Sequence, residues 1–150
     1  MREQERGSRF IAGALFFVLV LAAIATGSPV EIFINPPSFL VTVGGGSLLM
    51  VMAHGLGGLR ELRRISKESG SRAEFEYAQT LAIGAAKNFE RAGWIGLGIG
   101  AILMLQQITD PNVIGPATAV ALLCPLYGHL VSLSIFYPMA RNIEARSKMA

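Results

Sequence analysis

Four apolar runs, at residues 10–25, 39–56, 92–108 and 114–140, dominate the chain, and the stretches between them are polar or broken by glycine and proline. A helix that crosses the roughly 30 Å hydrocarbon layer of a bilayer needs about 20 mostly apolar residues. Each run therefore predicts one span: TM1 10–26, TM2 38–57, TM3 92–108 and TM4 113–140, with a cytoplasmic helical loop at 58–91. The fold class expected is all-α integral membrane, a single domain of four transmembrane helices in which helices 2, 3 and 4 extend into the cytoplasm.

The connections sharpen this outline. The stretch GSPVEIFINPPS at 27–38 reads as an outer turn in which Pro29, Pro36 and Pro37 stop one helix and preset the next. A second outer turn begins at Asp110-Pro111-Asn112, marked by Gln106, Gln107 and Thr109, and is so short that TM3 and TM4 must form an antiparallel hairpin. Pro116 is then expected in the first turn of TM4. Gly44, Gly45 and Gly46 in TM2 predict either close helix packing or a hinge, and Gly93, Gly96, Gly98 and Gly100 in TM3 predict tight crossing, Gly96 and Gly100 having the small-xxx-small spacing. After Gly70, acids come early (Glu74, Glu76) and bases late (Lys87, Arg91), which suits the helix dipole. One helix over 72–108 would be about 55 Å long, with about 25 Å outside the bilayer.

Composition agrees. Hydrophobic residues make up 52% of the chain and charged residues only 15%, too apolar a balance for an ordinary soluble domain. All 13 Lys and Arg residues lie before the first run, between the second and third, or after the fourth, whereas the two outer turns carry only Glu31 and Asp110. The positive-inside rule then puts both termini and the middle loop in the cytoplasm and explains the basic pI without nucleic acid. The apolar run ending in Ala23-Ile24-Ala25 also has the form of a secretory leader, but the charge pattern requires it as a span. Cys124 is the single cysteine, so neither a disulfide framework nor a thiolate metal site is expected. No P-loop, zinc motif or catalytic triad occurs, and no enzyme activity or cofactor is expected.

Some single residues invite chemistry. Pro125 removes a backbone hydrogen bond in mid-helix and predicts a kink; Cys124 beside it reads as packing. Tyr127 needs a polar partner for its hydroxyl in lipid. His129 is expected neutral, facing protein, as a hydrogen-bonded interhelical histidine or a proton relay. His54 and His129 could also suggest a bis-histidine haem site, although they should differ in depth by about 9 Å. The charges at Arg60, Glu61, Arg63 and Arg64 read as a solvated face or as a surface for a cytoplasmic partner.

Two segments, GWIGLGIGAILMLQQITDPNVIGPATAVALLCPLYG at 93–128 and FINPPSFLVTVGGGSLL at 33–49, resemble the MotA/TolQ/ExbB proton-channel family, and within it the flagellar stator A subunits. The resemblance implies an inner-membrane ring of A-type subunits, typically five, around single-span B-type subunits (MotB, TolR or ExbD-like) whose membrane aspartate carries the ion. That fits a chain with no acid well inside its expected spans. By the resemblance, Leu97, Gly100, Ala121, Cys124, Pro125 and Tyr127 would line the ion path; His129, which has no counterpart in the family pattern, joins them as a candidate from its own chemistry, and Gly44, Gly45, Gly46, Gly93, Gly96 and Gly128 are expected to pack helices because they are small. Leu97 stands where the family commonly has a threonine, Cys124-Pro125 where it commonly has two, and Glu90 where a proline often precedes TM3. Hard cations favour oxygen ligands, so without those hydroxyls the implied ion is the proton. A non-conducting scaffold that keeps the fold is the alternative, and the cytoplasmic part is far shorter than in flagellar stators.

Overall fold

A computed structural model describes residues 2–27, 30–67, 70–106 and 108–149; Pro29 as a helix stop and Gln107 as an interface marker lie outside the described residues. The described chain is helical throughout, with no strand. Helix α1 (Arg2–Gly27) leads through a 3-10 turn (Val30–Phe33) to the short α2 (Pro36–Phe39). A π turn (Leu40–Gly44) joins α2 to α3 (Gly45–Lys67). Helix α4 (Arg72–Gln106) follows, then α5 (Pro111–Val131), a second π turn (Ser132–Phe136) and α6 (Tyr137–Ser147).

Local chemistry sets the helix starts. Asn35 caps α2, its Oδ1 accepting from the Ser38 backbone N–H and hydroxyl at 3.0 and 2.9 Å, while Pro36 and Pro37 preset the first turn. Ser71 and Glu74 form a reciprocal capping box at α4: the Ser71 N–H donates to Glu74 Oε2 at 2.8 Å and the Glu74 N–H to Ser71 Oγ at 3.4 Å. Asp110 caps α5 by accepting from the Asn112 N–H at 2.9 Å. Because that cap starts the helix at Pro111, Pro116 lies in the second turn of α5 and not in the first.

Helix α4 runs unbroken over almost the whole length expected of it. The kink expected at Pro125 does not break α5, which continues to Val131 before its geometry loosens in the π turn. On the α2–α3 side the break is at Gly55, with φ 66° and ψ 175°, a conformation essentially confined to glycine.

Helix α4 is the centre of the fold, with α5 along one side, α3 along another and α6 closing the end near the Ser71 cap. There Met50, Leu62, Ile65, Phe75, Leu81 and Ile143 pack among Ala78, Ala82, Ala85 and Ala140. Full burial of each large side chain contributes about 1.5–3 kcal/mol. Arg146 closes this cluster, its guanidinium 4.8 Å from the Phe75 ring centre while Nη1 donates to Ile65 O at 2.8 Å.

Two helical stretches, Pro36–Ile65 and Asn112–Ser147, are long and apolar enough to cross a membrane, and Ile11–Ala23 is a shorter apolar segment. The two connections expected at the outer face are not level. The Tyr127 hydroxyl donates to Phe33 O and accepts from the Asn35 N–H, which fixes the first turn about 26 Å along α5 from Asp110. The α4–α5 hairpin thus extends well beyond that turn.

Candidate functional site

The hairpin seam is built from absent side chains. A Cβ at Gly93 would stand 2.9 Å from Cys124 O, one at Gly96 2.5 Å from Cys124 Sγ, one at Gly100 2.5 Å from Ala121 N, and one at Gly128 2.6 Å from Phe89 O. These pairings descend one helix as they climb the other, so α4 and α5 are antiparallel with backbones nearly touching, as small residues allow. On the other side of α4, a Cβ at Gly46 would stand 2.7 Å from the Phe89 ring and one at Gly45 3.6 Å from Ala92 Cβ, while one at Gly44 would meet only Leu40 of its own π turn. Five of the six glycines expected to pack helices therefore do so between elements.

Of the residues expected to line a path, Gly100, Ala121 and Cys124 are buried inside the seam, and Leu97, Pro125, Tyr127 and His129 are half-buried. Tyr127 is engaged with the first turn and walls an apolar recess of about 780 Å³ between α1 and α5. The Nδ1 of His129 lies 2.8 Å from Pro125 O. A carbonyl only accepts, so this nitrogen carries the hydrogen. The ring stands edge-on to Trp94, with centroids 6.4 Å apart. His54 meets α4 at Gly84 instead, ten residues or about 15 Å from Trp94, so the two histidines do not converge on one haem.

The cytoplasmic charges divide. Arg60 and Arg63 are exposed, but Arg64 is bound to Glu61 at 2.6 Å and to Glu74 at 2.7 Å, tying α3 to α4. The Ser71 backbone N–H first, then Arg64 and the Ser71 hydroxyl, hold the Glu74 carboxyl down at about 2.

Two hydroxyls escaped the sequence reading. Thr42 in the first π turn is fully buried and donates to Cys124 O at 3.2 Å; Ser132 in the second donates to Ala86 O at 2.7 Å. Each π turn thus directs a hydroxyl at a carbonyl of a neighbouring helix. Thr42 supplies one at the Cys124-Pro125 level, where α5 itself has none. A signal existed: Thr42 is the only polar side chain between Phe39 and Ser47.

Against known proteins, no family model matches the chain. Several curated bacterial relatives match part of it. Chemotaxis protein PomA of Vibrio alginolyticus is 46% identical over 54 residues, 36% of this chain and 21% of its own length. Motility protein A of Cereibacter sphaeroides is 49% identical over 55 residues, 37% and 22% of the two lengths. Protein YtxD of Bacillus subtilis is 40% identical over 67 residues, 40% and 25%. The chain is MotA-like over this matched part. It spans about a quarter of the length of the curated relatives it matches. Together with the two long apolar helices, the MotA-like match supports a bacterial membrane protein.

Proposed function

We propose that the chain is an A-type subunit of a proton-driven stator or energiser complex in the bacterial inner membrane. In this reading it spans the membrane four times with both termini inside and forms a ring, a pentamer, around a single-span MotB-like partner whose membrane aspartate carries the proton. The observation that carries the reading is the glycine-built α4–α5 seam in a chain similar to Motility protein A. Such a seam makes a thin, stiff two-helix wall, suited to lining a path between copies.

Within one chain Gly100, Ala121 and Cys124 are closed off, so the path is assigned to the outer side of the hairpin, where Leu97, Pro125, Tyr127 and His129 are half-buried. Copurification with the partner, native mass spectrometry and proton uptake into vesicles test this together. The expected result is a five-to-one or five-to-two complex that acidifies the vesicle lumen under an imposed potential. A stable monomer that ignores the partner would sink the reading.

A second reading is a non-conducting scaffold of the same shape, favoured by one observation: the Thr42 hydroxyl beside Cys124 is already committed to a carbonyl. Assembly without any proton uptake would select it.

A further inference from the structure

The recess beside Tyr127 is left open by the way α1 is supported. Near its start α1 rests on the second π turn and α6, where a Cβ at Gly13 would stand 3.3 Å from both Pro138 Cγ and Ser134 O. At its other end it leads toward the 3-10 turn that Tyr127 fastens. Between these supports lies the recess of about 780 Å³, with Phe17 and Leu21 on one wall, Leu126 and Leu130 on another, and Phe33 and Phe39 on a third. Successive helical residues are rotated by about 100°, so Phe17 and Leu21 share one face of α1 while Leu15 and Leu19 turn the other way. The first pair is 40% and 42% exposed, the second 61% and 67%.

Three properties of the recess select its occupant. Its wall offers no polar partner, because Asn35 and Tyr127 commit their side-chain oxygens to the turn. The Tyr127 hydroxyl donates to Phe33 O and accepts from the Asn35 N–H, and Asn35 Oδ1 accepts from Ser38. An apolar space stays dry, and left empty it forfeits dispersion contacts along its whole wall. It is also too small for a helix. A span about 10 Å across and about 30 Å long occupies on the order of 2,400 Å³, against about 780 Å³ here. A single acyl chain is slim enough.

Charge supplies the third property. Glu31 stands on the 3-10 turn that gives Phe33 to the wall, is exposed, and is the one charged residue between Arg9 and Arg60. Among the described residues it has no ion-pair partner. In the four-span reading this turn lies at the outer surface, where lipid headgroups are. A lipid seated there meets one negative charge and no Lys or Arg, which favours an ammonium headgroup over a net anionic one.

We propose that the recess between α1 and α5 holds an acyl chain of a phosphatidylethanolamine molecule whose ammonium pairs with Glu31. The bound chain completes the packing of α1 against α5. The headgroup level rests on the four-span reading, and proton transport does not enter.

The test places the full chain in vesicles of equal parts phosphatidylethanolamine and phosphatidylglycerol. A trace of one lipid or the other carries a photoreactive diazirine in its acyl chain, and adducts are located residue by residue by mass spectrometry. Leu15 and Leu19 report the surrounding bilayer at the same depth. Relative to them, the phosphatidylethanolamine probe is expected to label Phe17, Leu21 and Leu130 at least fivefold more than the phosphatidylglycerol probe does. Glu31→Gln should bring the two probes within twofold of each other, and added salt should narrow the gap. Leu130→Trp, which fills the recess, should remove adducts from Phe17 and Leu21 and leave those at Leu19.

Equal labelling by the two probes in wild type would overturn the proposal, as would a preference that Glu31→Gln leaves intact. Recess residues shielded from both probes would show that protein covers them, a second copy or a partner's span, and would overturn it equally. None of these outcomes depends on proton uptake, so the stator reading can fail while the lipid site stands, and the reverse.

Discussion

The two ends of α4 are held by opposite means. Near its Ser71 start, large side chains fill the space between α3, α4 and α6, and ion pairs ring the outside. Toward the hairpin tip the space has been removed instead, with Gly93, Gly96, Gly100 and Gly128 letting backbone meet backbone. A filled interface can respond by repacking, because side chains have other rotamers; a backbone interface has nothing to repack. The first should therefore be sensitive to loss of volume and the second to any gain.

The largest effect is expected from volume loss in the filled end. Leu81 has 0% exposure, and Leu81→Ala should lower unfolding stability by about 2–5 kcal/mol, read from thermal unfolding in detergent. Volume gain in the seam comes next. Gly100→Val should cost about 1–3 kcal/mol or more and weaken proton uptake, whereas Gly98→Val, with nothing within 4 Å of its Cβ position, should be nearly silent. Equal effects at 98 and 100 would dissolve the contrast between the ends.

Smaller effects probe the fastenings. Tyr127→Phe strips Phe33 O and the Asn35 N–H of their shared hydroxyl and should cost about 1–2 kcal/mol, seen as faster proteolysis within the first turn. Asp110→Ala removes the α5 cap and should cost about 1 kcal/mol, with Asp110→Asn close to wild type. The smallest is a pH effect. Glu74 is held at about 2 against an ordinary 4.5, so its contribution is present above about 4.5 and is lost as the pH falls toward 2. Glu74→Gln should flatten that part of a stability-versus-pH curve, and added salt should shrink the difference.

Much of this was legible in the sequence, for reasons that can be named. The span of α4, the hairpin and the packing role of Gly96 follow from helix formers, a short turn and small-residue spacing, all of which are local. The relative depth of the helices was not, because a run that is apolar all round states its length and not its level. The π turns escaped for a related reason: nothing in LVTVG or SLSIF opposes an α-helix, and the extra residue in each turn is tied to what Thr42 and Ser132 reach across to bond. At Pro125, α5 stays helical despite the missing donor.

Gly55 sets a different kind of limit. A Cβ there would meet nothing within 4 Å, yet its φ is 66°, so the constraint is one of handedness and not of room. An L-alanine would have to bend the chain back, whereas a D-alanine, whose mirror-image preferences include this conformation, would sit there without strain. Position 55 is thus closed to the other nineteen genetically encoded residues while remaining open to a residue the ribosome does not ordinarily supply.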